Sequence, residues 1–442
     1  MSGKENDLKR ELGLFDAVMI VVGNVVGVGI FTTTGVLAQE LPDARYILII
    51  WVIGGALTLC GALTYGELGA AFPYAGGDYV YLRNIYGSWA GFLLGWVGFF
   101  IINPGSIAAL SLGLAKYLLP LFLGGECQLW EEKSLAISSL LLISLINYLG
   151  VKRASRLQNL CSGLNLIIIF LILFSGFTWG SGNLDHFSFS SKDLSVGDLF
   201  GPAMIAVIFA YSGWFVSAYV ASEIKNPEKN LPLSLILSSL IVTILYVLMN
   251  VFYIYALPIP EMKGIIEIAS FACRSLFGPR ATVVVSLAIV LAILGSLNSV
   301  VLTAPRIYYA MAKDGIFFKK AGIVHSRYKT PYVSIAFQAI ISSCMVLWGN
   351  FYQLLTYVVF IMLITSIATA LGVFVLRLRC PELKRPYRVW GYPYPTFIFL
   401  AVYLWIALKV LVEKPYESIS GIAITLSGIP FYVYWRRKIP TG

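Results

Sequence analysis

Charge is the scarcest feature of this 442-residue chain, in which Asp, Glu, Lys and Arg together make up 12%. A soluble domain carries about 25%. With 58% hydrophobic residues, the deficit excludes a soluble globular class and points to an integral membrane protein. Histidine is nearly absent: the two present, His186 and His325, fall in expected loops. No histidine-based proton relay is therefore expected through a membrane. Acids are outnumbered by bases, 22 against 32. The resulting +10 charge is placed in a way that argues against a nucleic-acid partner. Basic residues concentrate on one side of the expected spans, as at Lys152, Arg153 and Arg156, Lys319 and Lys320, Arg385 and Arg388, and Arg436 to Lys438. That bias is the positive-inside pattern and places both termini in the cytoplasm. The six cysteines are scattered: Cys60, Cys161 and Cys344 in expected spans, Cys127 and Cys273 in outside loops, Cys380 inside. They show no metal-ligand spacing, so neither a metal site nor a cofactor is expected. A Cys127–Cys273 disulfide stays open, because sequence does not show that the two loops meet. Residues 1–12 are polar, and the first apolar run is too long for the h-region of a cleaved signal peptide.

About twenty apolar residues cross a bilayer. Runs of that kind number twelve: 13–37, 46–71, 88–118, 134–149, 158–180, 199–222, 233–257, 280–312, 332–349, 352–376, 395–412 and 418–435. They are called spans 1 to 12 below. The reading is an all-α polytopic membrane protein with a single transmembrane domain over 1–442. Loop chemistry fits. Asn226-Pro227, Asn230-Leu231-Pro232 and Cys380-Pro381 read as helix stops through proline's missing N–H. Gly76-Gly77-Asp78 marks a turn before a short interfacial helix, and the outer loop 258–279 is long enough for a helix lying on the membrane surface.

Two spans carry helix-weakening residues at mid-depth. Span 1 holds Gly27-Val28-Gly29, and span 6 holds Ala210-Tyr211-Ser212-Gly213-Trp214. Glycine there costs on the order of 1 kcal/mol relative to alanine, and unpaired backbone in hydrocarbon costs several kcal/mol more. Glycines in membrane helices also serve close packing, but two breaks at corresponding positions of two five-span halves point further. The halves are 13–180 and 199–376, with 395–435 appended. Five is odd, so the second half enters from the opposite side and the repeat is inverted, with a ligand site where the breaks meet. A half-helix beginning near Ile30 offers N–H groups and a positive dipole end to an anion such as a carboxylate. Free carbonyls near Val25, Phe209, Ala210 and Ser212 suit an ammonium group. Carboxylate and ammonium held a few ångströms apart describe an α-amino acid. Neither charge needs a side-chain counter-ion, in keeping with the lack of ionisable residues mid-span.

At these residues the chain resembles the amino acid–polyamine–organocation superfamily of permeases, nearest its L-type amino acid transporter branch. Val26-Gly27-Val28-Gly29-Ile30-Phe31 matches the family's G-S-G-I-F break, with valine for serine at 28. Tyr65 to Gly69, Gly76 to Tyr81, Val151 to Gln158, Phe209 to Trp214, Glu223 to Pro232, Gly295 to Asn298, Arg306 to Gly315 and Arg385 to Pro393 match further family motifs in order. The resemblance implies the LeuT-type fold, with broken helices 1 and 6 around an amino acid. It implies carboxylate contacts from the N–H groups of Val28 and Gly29, and amine contacts from the carbonyls of Val25, Phe209 and Ser212. Phe209 would close over the substrate. Many members carry a lysine in span 5 that links spans 1 and 8; here the matching position is read as Asn165, which cannot take up a proton. Either Asn165 bridges by hydrogen bonds or a cation binds near Ser296, Ser299 and Thr303, which share one helical face.

Asn103, Trp214 and Asn298 complete the candidate gating and coupling residues. Glu67 and Glu223 are candidates for an inside gate with Arg83, Lys152 or Arg156. Cys127 matches the position where animal L-type transporters are cross-linked to a heavy subunit. The short termini resemble bacterial relatives that work alone, so no protein partner is assigned, and the expected location is a bacterial plasma membrane. The expected partners are an amino acid and the bilayer. An enzyme would need a His, Asp, Ser or Cys cluster that the chain lacks. A nutrient sensor would be expected to add a regulatory domain. The runner-up within transport is an arginine or polyamine antiporter, against which stand Val300 in place of that group's aromatic and a pocket without acids. Sodium- or proton-coupled uptake is the other alternative to exchange.

Overall fold

The computed structural model describes residues 8–41, 43–123, 128–187, 202–348 and 351–438. Among these residues the chain is helical, and the one β-type contact is a parallel bridge between Leu12 and Ile224. Eight helices are long and apolar enough to cross a bilayer, and nine when the pair Leu14–Val25 and Gly29–Glu40, bent by 41°, is taken as one. They correspond to spans 1, 2, 3, 5, 7, 8, 10, 11 and 12. The other three expected spans are helical too, but shorter or less apolar: Leu129–Tyr148, Pro202–Ala210 with the 3-10 turn Val216–Glu223, and Tyr332–Trp348. Length and apolarity thus support a multi-pass membrane protein without fixing the number of crossings at twelve.

Some local expectations need correcting. Span 3 is irregular just before Pro104, where Gly98–Ile102 form a π-turn and the Asn103 N–H reaches back to the Gly98 carbonyl. A wider turn of this kind accommodates a proline that cannot donate to the residue four back. Pro232 does not stop a helix. It lies inside Pro227–Ala256, whose start is set by Pro227 at the first position after Asn226 in the left-handed region (φ 45°). The outer loop does contain a helix, Ile268–Phe277, but its face of Ile268, Ala269, Ala272, Cys273 and Leu276 is buried against protein. The short helix Asp78–Tyr86 is likewise packed inward from Asp78 to Leu82. Cys127 lies outside the described residues.

Packing sorts the two halves of span 1. Leu14–Val25 sits among spans 5, 7 and 8, whereas Gly29–Glu40 packs on Pro202–Ala210 and on the outer-loop helix. Spans 2 and 7 share the most extensive interhelical contact and form a wall behind both breaks. The breaks in spans 1 and 6 therefore face the packed pair of spans 2 and 7.

Candidate functional site

Span 1 leaves the helical path at Val26 and resumes at Gly29. The first N–H groups of a helix have no partner within it. Those of Val28, Gly29 and Ile30 find no backbone carbonyl among the described residues. Gly27, Val28 and Gly29 are half-buried and Ile30 is buried. Span 6 stops at Ala210 and turns through Gly213, at φ +89°. The two breaks meet, since a Cβ on Gly29 would lie 3.1 Å from the Ala210 Cβ. Asn24 Nδ2 donates to the Gly213 carbonyl at 3.4 Å. A side chain at Gly213 is excluded twice, by its positive φ and by Asn24 Nδ2 only 1.9 Å from where its Cβ would sit. Span 8 reaches the same place, as Ser296 Oγ would stand 3.3 Å from a Cβ on Gly27.

Span 7 ties the breaks together through a residue that sequence reasoning missed. The buried Tyr246 hydroxyl lies 2.7 Å from the Val25 carbonyl and 3.1 Å from that of Ala210. Tyr253, seven residues on, donates to the Ile30 carbonyl at 3.1 Å. The Val25 carbonyl also accepts the Gly27 N–H at 2.7 Å. It is therefore satisfied within the protein rather than free for an ammonium group. The Phe209 carbonyl accepts the Ser212 N–H at 3.0 Å. Among the described residues no donor reaches the Ser212 carbonyl. Phe209 itself is 58% exposed. Trp214 is buried, with its ring edge-on to Tyr65 at 4.8 Å and to Phe399 at 5.9 Å, and forms part of an aromatic cluster below the span 6 break.

The link between spans 1, 5 and 8 is made at Gln158, two helical turns before Asn165. Gln158 Nε2 donates to the Met19 carbonyl at 3.3 Å, and its Oε1 accepts from Asn298 Nδ2 at 2.8 Å. Asn147 completes this polar set, donating to Asn298 Oδ1 at 2.9 Å. A Cβ on Gly23 would lie 2.0 Å from Gln158 Nε2, so only glycine there lets the amide in. Asn165 is buried with its amide oxygen unpartnered. Ser296 donates to the carbonyls of Gly23 (3.0 Å) and Asn24 (3.2 Å), and Ser299 to that of Ile20 (3.2 Å). Thr303 turns back to the Ser299 carbonyl of its own helix at 2.8 Å. This face of span 8 thus bonds span 1 directly through hydroxyls. Asn103 is also engaged, its Nδ2 donating to the Gly98 carbonyl (2.9 Å) and the Tyr308 hydroxyl (3.0 Å).

At the basic end the expected gate partners are replaced by others. Glu223 pairs with Arg306, Nε to Oε1 2.7 Å and Nη2 to Oε2 3.1 Å, both side chains fully buried. Glu67 pairs with Arg377 (Nε to Oε1 2.9 Å) and lies 3.4 Å from Arg385. Arg83 pairs instead with Asp314, which also accepts from the Tyr79 hydroxyl. Asp78 accepts from Tyr219 at 2.8 Å and Thr369 at 2.9 Å, and burial pushes its carboxyl above the usual range. The Leu12 N–H bonds the Glu223 carbonyl, and the Lys225 N–H bonds that of Leu12. Arg306 was legible in principle: it interrupts a long apolar run, and an ionisable residue inside a span calls for a partner.

Two interrupted apolar spans that meet at their breaks, with backbone N–H groups left over there, fit a membrane transporter. The sequence comparisons agree. Residues 12–425 match the family described as amino acid permease, and the chain belongs to that family. It is 34% identical to the serine/threonine exchanger SteT of Bacillus subtilis, over 99% of both chains. It is 32% identical to the human large neutral amino acids transporter small subunit 2, over 98% of this chain and 82% of that one. It is also 32% identical to the human b(0,+)-type amino acid transporter 1, over 99% of this chain and 91% of that one.

Proposed function

We propose that the protein moves neutral L-amino acids across the membrane by alternating access, as exchange or facilitated flux. The observation that carries this reading is the meeting of two breaks whose spare polar groups are backbone groups. No Asp, Glu, Lys, Arg or His lies between positions 17 and 39 or between 202 and 222. In this reading the N–H groups of Val28, Gly29 and Ile30 hold the carboxylate at a helix N-terminus. The Ser212 carbonyl takes the ammonium, the role first divided among Val25, Phe209 and Ser212. Phe209 covers the bound molecule. The spans form a five-plus-five inverted repeat plus two, and the basic end faces the cytoplasm of a bacterial cell. The chain acts without a heavy subunit. Similarity over the full length to a serine/threonine exchanger favours small neutral substrates and exchange.

What the core offers supports transport without proton coupling. Gln158 and Asn165 carry no titratable proton, and Ser296 and Ser299 already spend their hydroxyl protons on the span 1 carbonyls. A proton carried through span 5 would need a group able to neutralise itself. The test is uptake of labelled serine, threonine, leucine and arginine into proteoliposomes, with and without internal amino acid, sodium and an inward proton gradient. Uptake of neutral amino acids that requires substrate inside supports exchange. Uptake of arginine or polyamines alone, or concentrative uptake abolished by an uncoupler, overturns the reading.

A further inference from the structure

Where the end of span 8 meets the end of span 12, a cleft of about 510 Å³ opens. Its lining includes Lys313, Lys319 and Lys438 together with Phe318 and Trp435. All three lysines are exposed. The acid in the cleft wall, Asp314, is paired with Arg83 and accepts from Tyr79, so it does little to offset them. Two helices, Pro305–Lys313 and Ile429–Arg437, end here. Their C-termini contribute about half a negative charge each, less than three lysines supply. Aromatic surface adjoins the cleft: Tyr434 and Phe318 of its lining are 54% and 45% exposed, and Phe431, packed on Trp435, is 46% exposed. Tyr and Trp near the end of a span mark the headgroup level of a bilayer.

We propose that this cleft binds the phosphate of an anionic phospholipid from the leaflet on the basic side, with its acyl chains along span 12. Charge complementarity selects the headgroup, since basic pockets between spans at this level hold anionic lipid heads. The exposed aromatic surface beside the lysines selects a lipid over a water-borne anion. The bound lipid bridges spans 8 and 12 next to the Arg83–Asp314 pair.

The test uses the full-length protein, equilibrated with mixed phosphatidylcholine and phosphatidylglycerol, re-extracted in mild detergent and weighed by native mass spectrometry. Wild type should retain about one phosphatidylglycerol more tightly than phosphatidylcholine. The triple variant Lys313→Gln, Lys319→Gln and Lys438→Gln should lose that preference. A control triple at Lys152, Arg153 and Arg156, exposed cations elsewhere on the same end, should keep it. The single variant Lys438→Gln, at a helix end, gives a partial loss in a chain whose fold is undisturbed. Equal retention by wild type and the cleft variants overturns the proposal. So does equal loss in the control, which would mean diffuse attraction only. Displacement of the lipid by millimolar inorganic phosphate would reassign the cleft to a soluble anion.

Discussion

Around the basic end, buried or half-buried acids pair with bases on other segments: Glu223 with Arg306, Glu67 with Arg377 and Arg385, Asp314 with Arg83. The outer halves of spans 1 and 6 meet instead through Gly29 and Ala210, and Phe209 beside them stands open. The difference is one of chemistry as well as of shape. A buried ion pair tolerates little displacement, because each charge separated from its partner pays for desolvation without return. A contact between small apolar groups slides at low cost. The basic end is thus held by buried ion pairs, whereas the outer half of span 1 is held by neutral hydrogen bonds such as Tyr253 to the Ile30 carbonyl and Thr34 to Asn250. A cycle that opens the basic end must break the Glu223–Arg306 pair or carry it along as a unit.

The strongest test of that contrast is Arg306→Ala. It leaves the Glu223 carboxylate fully buried with no cation to answer it, a change that costs about 3–5 kcal/mol. The expected outcome is a large fall in melting temperature and in the yield of folded protein. Adding Glu223→Gln to it should recover part of the loss, since the stranded charge is then gone. An Arg306→Ala protein that melts like wild type would remove that ion pair from the comparison.

Much of this arrangement could be read from the chain, but unevenly. The apolar runs located most of the helices because a bilayer demands length and apolarity together. Both breaks were found where glycine and small polar residues interrupt those runs. Partners were harder. Tyr246 gives no sign in sequence, being one aromatic among many on an apolar helix; its role depends on the placement of span 7 behind both breaks. The bonds of Gln158 to Met19 and Asn298 were not foreseen, since one amide among the polar residues of span 5 gives no sign of which neighbours it meets. What decided the matter was steric: Gly23 makes room for Gln158. The ion pairs were assigned to wrong partners because sequence shows which end a charge occupies but not which neighbour it meets.

A smaller effect is expected at the hinge between the two regions. Tyr246→Phe keeps the ring and removes the hydroxyl that reaches the Val25 and Ala210 carbonyls. The Val25 carbonyl keeps the Gly27 N–H, but the Ala210 carbonyl loses the Tyr246 donor, at a cost of about 1–3 kcal/mol. Part should appear as reduced thermal stability and part as a raised KM for substrate, because the break geometry is no longer fixed. If stability falls and KM does not, Tyr246 braces the fold without shaping the site. A melting temperature and KM both equal to those of wild type would mean that the two breaks hold their geometry without it.

The smallest effect on stability is expected at Phe209, and there the contrast between regions is sharpest. Truncating a buried phenylalanine costs about 3–5 kcal/mol. Phe209 is 58% exposed, so Phe209→Ala should change stability by no more than about 0.5 kcal/mol, as for an ordinary surface position. If the ring closes over the bound amino acid, transport should nevertheless fall by about tenfold, the equivalent of 1.4 kcal/mol of lost interaction. Phe209→Tyr, which keeps the ring, should retain most of the activity. Thermal melting and initial-rate uptake on the same preparations separate the two readings. A Phe209→Ala protein that is stable and transports normally would place the ring against lipid. A stable protein that has lost transport would place it over the substrate.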